Sequence, residues 1–411
     1  MKKLTAILLL LAMLFTLAAC SGSGTSDTSA SSAPSSAAPS AAPSESQAPS
    51  TGTTETTSGG QTQTSENPPV TDIKAEGFDF YGRDPYKIAY ICNSLTWGWN
   101  NALDQTFARL GTIMNFEYIG WAANQDFDAY INQMYVFADQ GYDGLIVGVD
   151  DALAVRAYEV GKELGIAFVS ESTAMMDDDG ICIWPSVVAA DYTGAADGIY
   201  WLCDNYKTYW GEIDTTKLGL LVLDFSSVSG ITARTPGASD AFRSRFPEAA
   251  DNILVGDLLI YGPSGFSVQG GNDMAMATFS NNPQIEYWFV IGNVGDWAVG
   301  ATRAAESLQM EDHVLACAFD ADMFLSEMAG GYSGNTLVAA CALSSTVTAI
   351  RLAEAVVYML DGTYTAETLW PEWRDPGGSY PRFEVGVEII SRETYQQYLD
   401  DQEALIANYA G

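Results

Sequence analysis

Apolar runs that do not alternate with polar residues recur along most of this chain, and amphipathic stretches separate them. The clearest unit is residues 144–169, where two apolar runs flank a stripe of Leu153, Ala157, Val160 and Leu164 at helical spacing. Strands that do not alternate are buried on both faces, as in a parallel sheet covered by helices. This stretch therefore predicts a strand, a helix and a second strand of one parallel sheet.

The ends of the predicted helix carry residues that helix ends favour. Asp150 or Asp151 can accept hydrogen bonds from the first-turn N–H groups, and Gly165 can take the left-handed conformation that ends a helix. Asp126 stands in the capping position before another helical stripe. Because ligands of parallel sheets bind at the carboxyl ends of the strands, the polar residues at these ends are candidates for a site.

The alternation of strand and helix continues along the chain in two series, and a strand at 187–190 crosses between them. Repeated β-α units predict an α/β fold with two doubly wound, Rossmann-like lobes joined by a crossing-strand hinge. We expect residues 86–188 plus 344–361 in the N-terminal lobe and residues 189–343 plus 362–411 in the C-terminal lobe. The predicted strands lie at 87–92, 115–119, 145–149, 166–169, 187–190, 218–223, 253–259, 287–291, 314–319, 337–340 and 383–390.

The first 70 residues differ from the rest in composition. Residues 1–19 join Lys2 and Lys3 to a short apolar run and indicate a signal peptide. The four residues that end at Cys20 resemble a bacterial lipobox, which implies cleavage before Cys20 and a diacylglyceryl group on its sulfur. Residues 20–70 are mostly Ser, Thr, Ala, Pro and Gly, and such a linker stays disordered. We expect a lipid-anchored protein on the extracellular face of the cell membrane.

The charge balance excludes one class of partner. The formal net charge of the 411 residues is −34, and it becomes −36 without Lys2 and Lys3 of the signal peptide. A surface this acidic repels nucleic acid, and the sequence has no basic cluster to offset it. We therefore predict no nucleic-acid partner.

Motifs for catalysis or metal binding are missing from the sequence. It has no G-x-S-x-G, G-x-G-x-x-G, phosphate-loop, C-x-x-C or H-E-x-x-H motif, and its one histidine, His313, is expected to be solvated. The acidic run 177–179 before Gly180 lacks the alternating ligand spacing of a calcium loop and predicts a solvated turn. No catalytic residue, metal or cofactor is expected.

The cysteines after Cys20 cannot all pair within the chain, because there are five of them. Three fall in or beside apolar strands and are predicted to be buried free thiols: Cys92, Cys317 and Cys341. Cys182 and Cys203 are either a disulfide or two further free thiols, because spacing alone does not decide.

Hydrogen-bonding side chains and large aromatic rings occur together at the predicted strand ends. The candidate ligand-binding residues are Asn93, Trp97, Trp99, Glu171, Ser172, Arg234, Asn293, Asp296 and Asp320. Aromatic rings suit the C–H faces of a sugar, and Asp, Asn and Arg suit its hydroxyl rim. The set therefore favours a small sugar or sugar-like ligand. Glu171 and Asp320 are also the acids that a glycoside-hydrolysing enzyme would need.

Several segments, taken in order, resemble one family. They are Gln140-Gly141-Tyr142-Asp143-Gly144-Leu145-Ile146-Val147, Gly165-Ile166-Ala167-Phe168-Val169, Arg234-Thr235-Pro236-Gly237, Trp297-Ala298-Val299-Gly300-Ala301 and Ala318-Phe319-Asp320. In this order they resemble the type I periplasmic-binding-protein-like solute-binding proteins of sugar ABC importers, of the ribose- and galactose-binding kind. The resemblance implies two lobes that close on a ligand and an ABC transporter permease as partner; we expect a monomer.

The resemblance also assigns roles to particular residues. Arg234 matches the family's sugar-binding arginine, Asp320 matches its site aspartate, and Trp97 and Trp99 fall where the family places stacking aromatics. The segment that begins at Ser170 departs from the family's usual Asp-Arg pair. A different sugar, a sugar derivative and a nucleoside therefore remain open as ligands, and a ligand-sensing subunit of a membrane receptor remains open as a role.

Overall fold

The computed structural model describes residues 79–409, and in these residues two six-stranded sheets, each covered by helices on both faces, form two lobes. The predicted α/β class with two doubly wound lobes is confirmed. The predicted signal peptide, Cys20 and the linker that follows it lie outside the described residues.

The first lobe contains an entirely parallel sheet. Its strands are β1 (Tyr86–Cys92), β2 (Phe116–Ala122), β3 (Gly144–Gly148), β4 (Ala167–Glu171), β5 (Ser186–Ala189) and β11 (Arg382–Val385). Their order across the sheet is β11-β5-β4-β3-β1-β2. The covering helices are α1 (Gly98–Met114) and α10 (Ser345–Leu360) on one face, with α2 (Phe127–Asp139) and α3 (Asp151–Leu164) on the other.

The second lobe repeats this plan with one antiparallel edge strand, β12. Its strands are β6 (Leu218–Asp224), β7 (Ile253–Asp257), β8 (Tyr287–Gly292), β9 (Val314–Phe319), β10 (Leu337–Leu343) and β12 (Val387–Ser391), in the order β12-β10-β9-β8-β6-β7. The helices are α4 (Asp191–Trp210), the short α5 (Ser229–Thr232), α6 (Arg234–Arg245), α7 (Val268–Asn281), α8 (Gly295–Ser307), α9 (Asp322–Ala329) and the terminal α11 (Tyr395–Tyr409). Helices α4 and α6 share one face, and α7, α8 and α9 share the other.

The central strands are buried along their whole length, as their lack of alternation predicts. Every residue of β3 and β6 is buried, and so is every residue of β9. Large side chains such as Tyr90 and Phe289 are fully enclosed between a sheet and its helices. Each apolar side chain buried in this way stabilises the fold by about 1.5–3 kcal/mol before entropy is counted.

Two helix ends have the capping residues that the sequence predicts, and the start of α3 does not. Asp126 Oδ1 accepts a hydrogen bond from the Ala129 N–H at 2.9 Å, and Gly165 ends α3 at a φ of 63°. Asp150 precedes α3 but makes no capping hydrogen bond. The carboxylate of Asp151 instead bonds Ser229 in the other lobe, so neither aspartate caps this helix.

The chain crosses between the lobes after β5, after β10 and between β11 and β12, and helix α11 then runs from the second lobe to the first. The crossing between β11 and β12 corrects the single late strand expected at 383–390: β11 pairs with β5 and β12 pairs with β10, in different sheets. The expected placement of all residues 362–411 in the second lobe is therefore wrong. Leu369, β11 and the end of α11 at Tyr409 pack in the first lobe, whereas Tyr398 near the start of α11 packs in the second.

The cysteines after Cys20 are all free thiols, and all are buried. Cys182 lies in the first lobe and Cys203 lies on α4 of the second, so the suggested disulfide does not form. His313 is exposed as expected, and it stacks on Tyr287 at 5.0 Å between ring centroids. Within residues 79–409 no helix combines the length and the apolar character that crossing a membrane requires.

Candidate functional site

The carboxyl ends of the two sheets meet across a shared cleft. Ser229 donates hydrogen bonds from its backbone N–H and its Oγ to the Asp151 carboxylate, at 2.8 and 2.7 Å. At a second place Gly98 lies directly against Asp322, since a Cβ on Gly98 would stand 2.5 Å from the Asp322 carboxylate. The residues in these contacts follow strands β3, β6, β1 and β9. The strand-end loops of both lobes therefore line one space.

In the first lobe, Glu171 is the centre of a closed polar group. This carboxylate is 2% exposed and accepts hydrogen bonds from Trp99 Nε1 at 2.9 Å, from the Tyr90 hydroxyl at 3.3 Å and from the Ser172 hydroxyl. Burial raises the pKa of Glu171, and these three donors act in the opposite direction. The predicted residues Trp99, Glu171 and Ser172 are thus in one hydrogen-bonded group.

Asn93 and Trp97 occupy the loop between β1 and α1. Asn93 is 4% exposed, and its Oδ1 has no hydrogen-bond partner. A hydrogen bond from Asn93 lowers the pKa of Asp150, but partial removal from water and the charge of Asp151 act against it and the net shift is upward. Trp97 precedes the first residue of α1 and is 46% exposed, so its ring is free to contact a ligand.

In the second lobe, Arg234 is held in place by three neighbours. Its Nε forms an ion pair with Asp191 at 2.8 Å, and both side chains are 14% exposed. Nη1 donates to the backbone oxygen of Asn293, and the guanidinium lies 3.8 Å from the centroid of the Phe319 ring. Two of the five N–H donors of Arg234 are therefore used within the second lobe, and three remain for a ligand.

Asn293 is fully buried beside Arg234. Its Nδ2 donates to Thr235 Oγ1 at 2.9 Å and to the Ile231 backbone oxygen at 3.2 Å, whereas its Oδ1 has no hydrogen-bond partner. Buried polar atoms are nearly always hydrogen-bonded in folded proteins, so this free acceptor is unusual.

Three aspartates, Asp296, Asp320 and Asp322, surround the N-terminal ends of α8 and α9. Asp320 has a left-handed backbone, with a φ of 73°, and accepts a hydrogen bond from the Gly295 N–H at 3.1 Å. Burial and the neighbouring Asp322 charge raise the pKa of Asp320 to about 7. The pKa values of Asp296 and Asp322 are also raised, chiefly by removal from water.

The structure therefore brings all nine predicted residues to the facing ends of two sheets, five from the first lobe and four from the second. Four aspartates outside that prediction join them: Asp150, Asp151, Asp191 and Asp322. The signal for these four is in the sequence, because each lies within three residues of a strand end. The contacts of Asp151 with Ser229 and of Asp322 with Gly98 cross the cleft, and they depend on the lobe arrangement, which the sequence pattern does not give.

A groove of about 560 Å³ runs between the lobes beside the hinge. Its lining includes Asp151 and Ser172 of the first lobe, and Tyr192 and Ser229 of the second. Ser172 is the one predicted ligand residue in this lining. Within residues 79–409, no group of three or more His, Cys, Asp or Glu side chains is arranged to hold a metal ion.

Comparison with solved structures shows which fold this is. A periplasmic solute-binding protein of an ABC transporter from Actinobacillus succinogenes, with bound D-allose, aligns at a TM-score of 0.57 and 15% identity, over 76% of this chain and 100% of that one. A solute-binding protein from Bacillus halodurans with bound myo-inositol aligns at 0.54 and 15%, over 77% and 97%. A sugar-binding protein of a sugar ABC transporter, also from Bacillus halodurans, aligns at 0.59 and 15%, over 76% and 99%.

The similarity to these proteins lies in the fold. No family model matches the sequence, and no curated protein matches it either. The chain has the two-lobed, type I fold of periplasmic solute-binding proteins, as the resemblance in its sequence implied.

Proposed function

We propose that this chain is a solute-binding protein that captures a small sugar or sugar-like ligand in the cleft between its lobes. The observation that carries the proposal is that strand-end loops of both lobes contact each other, at Ser229 with Asp151 and at Asp322 with Gly98. A ligand in this space is contacted from both sides, so binding favours the closed arrangement of the lobes.

The chemistry of the loops suits a hydroxylated ligand. Trp97 offers an exposed ring for the C–H face of a sugar, while Asn93, Asn293 and the aspartates offer acceptors for its hydroxyl groups. Two structures of similar fold hold D-allose and myo-inositol, which supports this ligand class by analogy.

The proposal includes binding without turnover. Glu171 lies in the first lobe and is occupied by three donors, while Asp320 lies in the second lobe and accepts from Gly295. The structures of similar fold are binding proteins, which also favours this role.

We further propose that the protein delivers its ligand to an ABC importer from the extracellular face of the membrane. The lipobox-like segment at Cys20 supports anchoring through a lipid, and the polar linker of residues 20–70 supports a folded part that moves freely above the membrane. Labelling of cells with a radioactive fatty acid tests the anchor, because Cys20→Ala abolishes labelling if this account is correct.

A thermal-shift panel tests ligand binding. The full chain is heated with a series of neutral sugars, amino sugars, polyols and nucleosides. A ligand at about 100 times its Kd stabilises the native state by about 2.7 kcal/mol, which raises Tm by several degrees. We expect at least one sugar or polyol to do this, and the absence of any shift across the panel contradicts the proposal.

A variant pair locates the binding to the cleft. Trp97→Ala removes the exposed ring, and we expect the Kd of the sugar that gives the largest shift to rise about ten-fold, from the loss of one aromatic contact. Tyr364→Ala is the matched control, since Tyr364 is 40% exposed and follows α10, whose last residue, Leu360, lies against Gly144 at the amino end of β3. Equal effects of the two substitutions argue against binding at Trp97.

A further inference from the structure

The groups at the cleft that lack partners are almost all hydrogen-bond acceptors. Asp296, Asp320 and Asp322 lie close enough to act on one another, with the backbone N–H of Gly295 as a donor to Asp320. In the first lobe, Asp150 and Asp151 are adjacent at the end of β3. Such a cleft can form many hydrogen bonds with a ligand that donates them and few with a ligand that only accepts them.

Positive charge is scarce in the same place. Two basic residues stand near the cleft in the part of the chain that the structure describes: Arg234, the first residue of α6, and Arg382 of β11, which lines the groove and is paired with Asp375 and Glu384. The guanidinium of Arg234 is already paired with Asp191, which is as buried as Arg234 itself. Arg234 also acts on Asp320 at longer range, so one guanidinium faces Asp191 and the three aspartates Asp296, Asp320 and Asp322.

Two buried amides supply an independent observation. Asn93 Oδ1 and Asn293 Oδ1 have no hydrogen-bond partner, although Asn93 is 4% exposed and Asn293 is 0% exposed. One stands at the end of β1 and the other at the end of β8, so each lobe has one at its cleft end. The amide group of Asn93 lies against Asp150 of the first lobe, and Asn293 stands three residues before Asp296 in the second. Both oxygens need a donor, and the cleft carries few.

We propose that the ligand is a small hydroxylated molecule that carries a protonated amine, such as an amino sugar, and that its ammonium group lies by Asp296 and Asp320. This inference rests on the proposed function and narrows its ligand class. A cation of this kind supplies three donors and a positive charge where the described residues provide the Gly295 N–H and the charge of Arg234, which is already paired with Asp191. A metal ion fits the site less well, because the described acids do not form a coordinating group.

A neutral sugar leaves this charge uncompensated. Closing the lobes over Asp296, Asp320 and Asp322 removes carboxylates from water, and a buried charge without a partner is strongly disfavoured. The pKa of each of these three groups is raised, chiefly by removal from water, and neighbouring aspartate charges add to this electrostatic penalty at Asp320 and Asp322. An ammonium group relieves it, and an acetylated amine does not because it carries no charge.

The test compares matched ligands on the full chain by calorimetric titration. D-glucosamine is compared with D-glucose and N-acetyl-D-glucosamine, and D-galactosamine with D-galactose and N-acetyl-D-galactosamine. We expect one of the amines to bind about ten-fold or more tightly than its neutral and acetylated counterparts, as a charged hydrogen bond replaces a neutral one. Asp320→Asn and Asp296→Asn each reduce this preference. Asp312→Asn keeps it, because Asp312 is exposed, also lies in the second lobe and follows α8 at the start of β9.

The outcomes separate the two proposals. If a neutral sugar binds as tightly as its amine, or more tightly, the cationic ligand is refuted and the sugar-binding function stands. If an amine binds but Asp320→Asn and Asp296→Asn leave its preference unchanged, the location of the ammonium group is wrong. If none of these ligands binds and the wider thermal-shift panel is also negative, the proposed function itself fails.

Discussion

The two lobes share a fold, but Glu171 of the first lobe and Asp320 of the second have opposite surroundings at the cleft. In the first lobe Glu171 is enclosed by Tyr90, Trp99 and Ser172, which all donate to it. In the second lobe Asp320 faces the charges of Asp296 and Asp322. The same sheet ends thus hold a satisfied acid on one side and a group of mutually repelling acids on the other, which indicates a structural role for the first and a ligand-facing role for the second.

Removal of Arg234 gives the largest expected loss of stability in this comparison. Arg234→Met leaves Asp191 with a buried, unpaired carboxylate, and we expect the free energy of unfolding to fall by about 3 kcal/mol. Arg156→Met is the control, since its ion pair with Glu159 is about half exposed and is worth at most about 0.5 kcal/mol. Denaturant titration measures both, and equal losses would show that Arg234 and Asp191 form an ordinary surface pair.

Replacement of Glu171, the hydrogen-bonded acid of the first lobe, is expected to give the next largest loss of stability. Glu171→Ala leaves Trp99 Nε1 and the Tyr90 hydroxyl without an acceptor and opens a cavity, so we expect a loss of about 2 kcal/mol of unfolding free energy. Glu171→Gln keeps an acceptor of similar shape and is expected to lose less. If the two variants are equally destabilised, the charge of Glu171 matters more than its hydrogen bonds.

The crowded acid of the second lobe predicts an effect of opposite sign that depends on pH. Asp320 has a pKa raised to about 7 in the folded chain, by burial first and then by Asp322 and Asp296, against the opposing effects of Gly295 and Arg234. The folded state therefore holds its proton to higher pH than the unfolded state, whose aspartates titrate near pH 4. Between about pH 4 and pH 7 this group makes stability fall as pH rises.

The substitution Asp320→Asn removes this contribution. We expect the variant to be more stable than the parent chain above about pH 7 and to differ little from it near pH 4. Thermal unfolding of both chains across this range measures the difference. A constant difference at all pH values would contradict the raised pKa of Asp320.

The smallest effect is expected from removing the contact between Asp151 and Ser229 across the cleft. Asp151→Ala removes two hydrogen bonds to Ser229, and because these groups are exposed we expect ligand affinity to fall by about three- to ten-fold. In a double-mutant cycle, Ser229→Ala is expected to add little to Asp151→Ala. Full additivity would show that the lobes do not close through this pair.

Much of the fold is readable in the sequence, since burial on both faces of a strand leaves an unbroken apolar run. Local features were equally clear at Asp126 and Gly165. The division of the late strand at Gly386 was not clear from the sequence, because its two halves have similar composition. They differ only in which sheet they join. Expectations about residues 362–411 failed for the same reason: the chain there passes between lobes whose relative position is a long-range property.

The candidate site was also predictable only in part from the sequence. Strand-end position and residue type were enough to select Trp97, Glu171, Arg234 and Asp320 as residues that meet at one cleft. Their partners were not predictable, because the pairing of Arg234 with Asp191 and the approach of Asp322 to α1 join residues distant in the chain. The sequence thus indicates which ends carry chemistry, and the packing of the lobes decides which groups stay free for a ligand.

The most direct test of ligand capture between two lobes is hydrogen exchange of the full chain with and without the sugar that gives the largest thermal shift. The account predicts slower exchange in the loops of both lobes, at residues 93–99 and 150–151 in the first and at 293–296 and 320–322 in the second. Protection confined to one lobe, or located away from these loops, would contradict it.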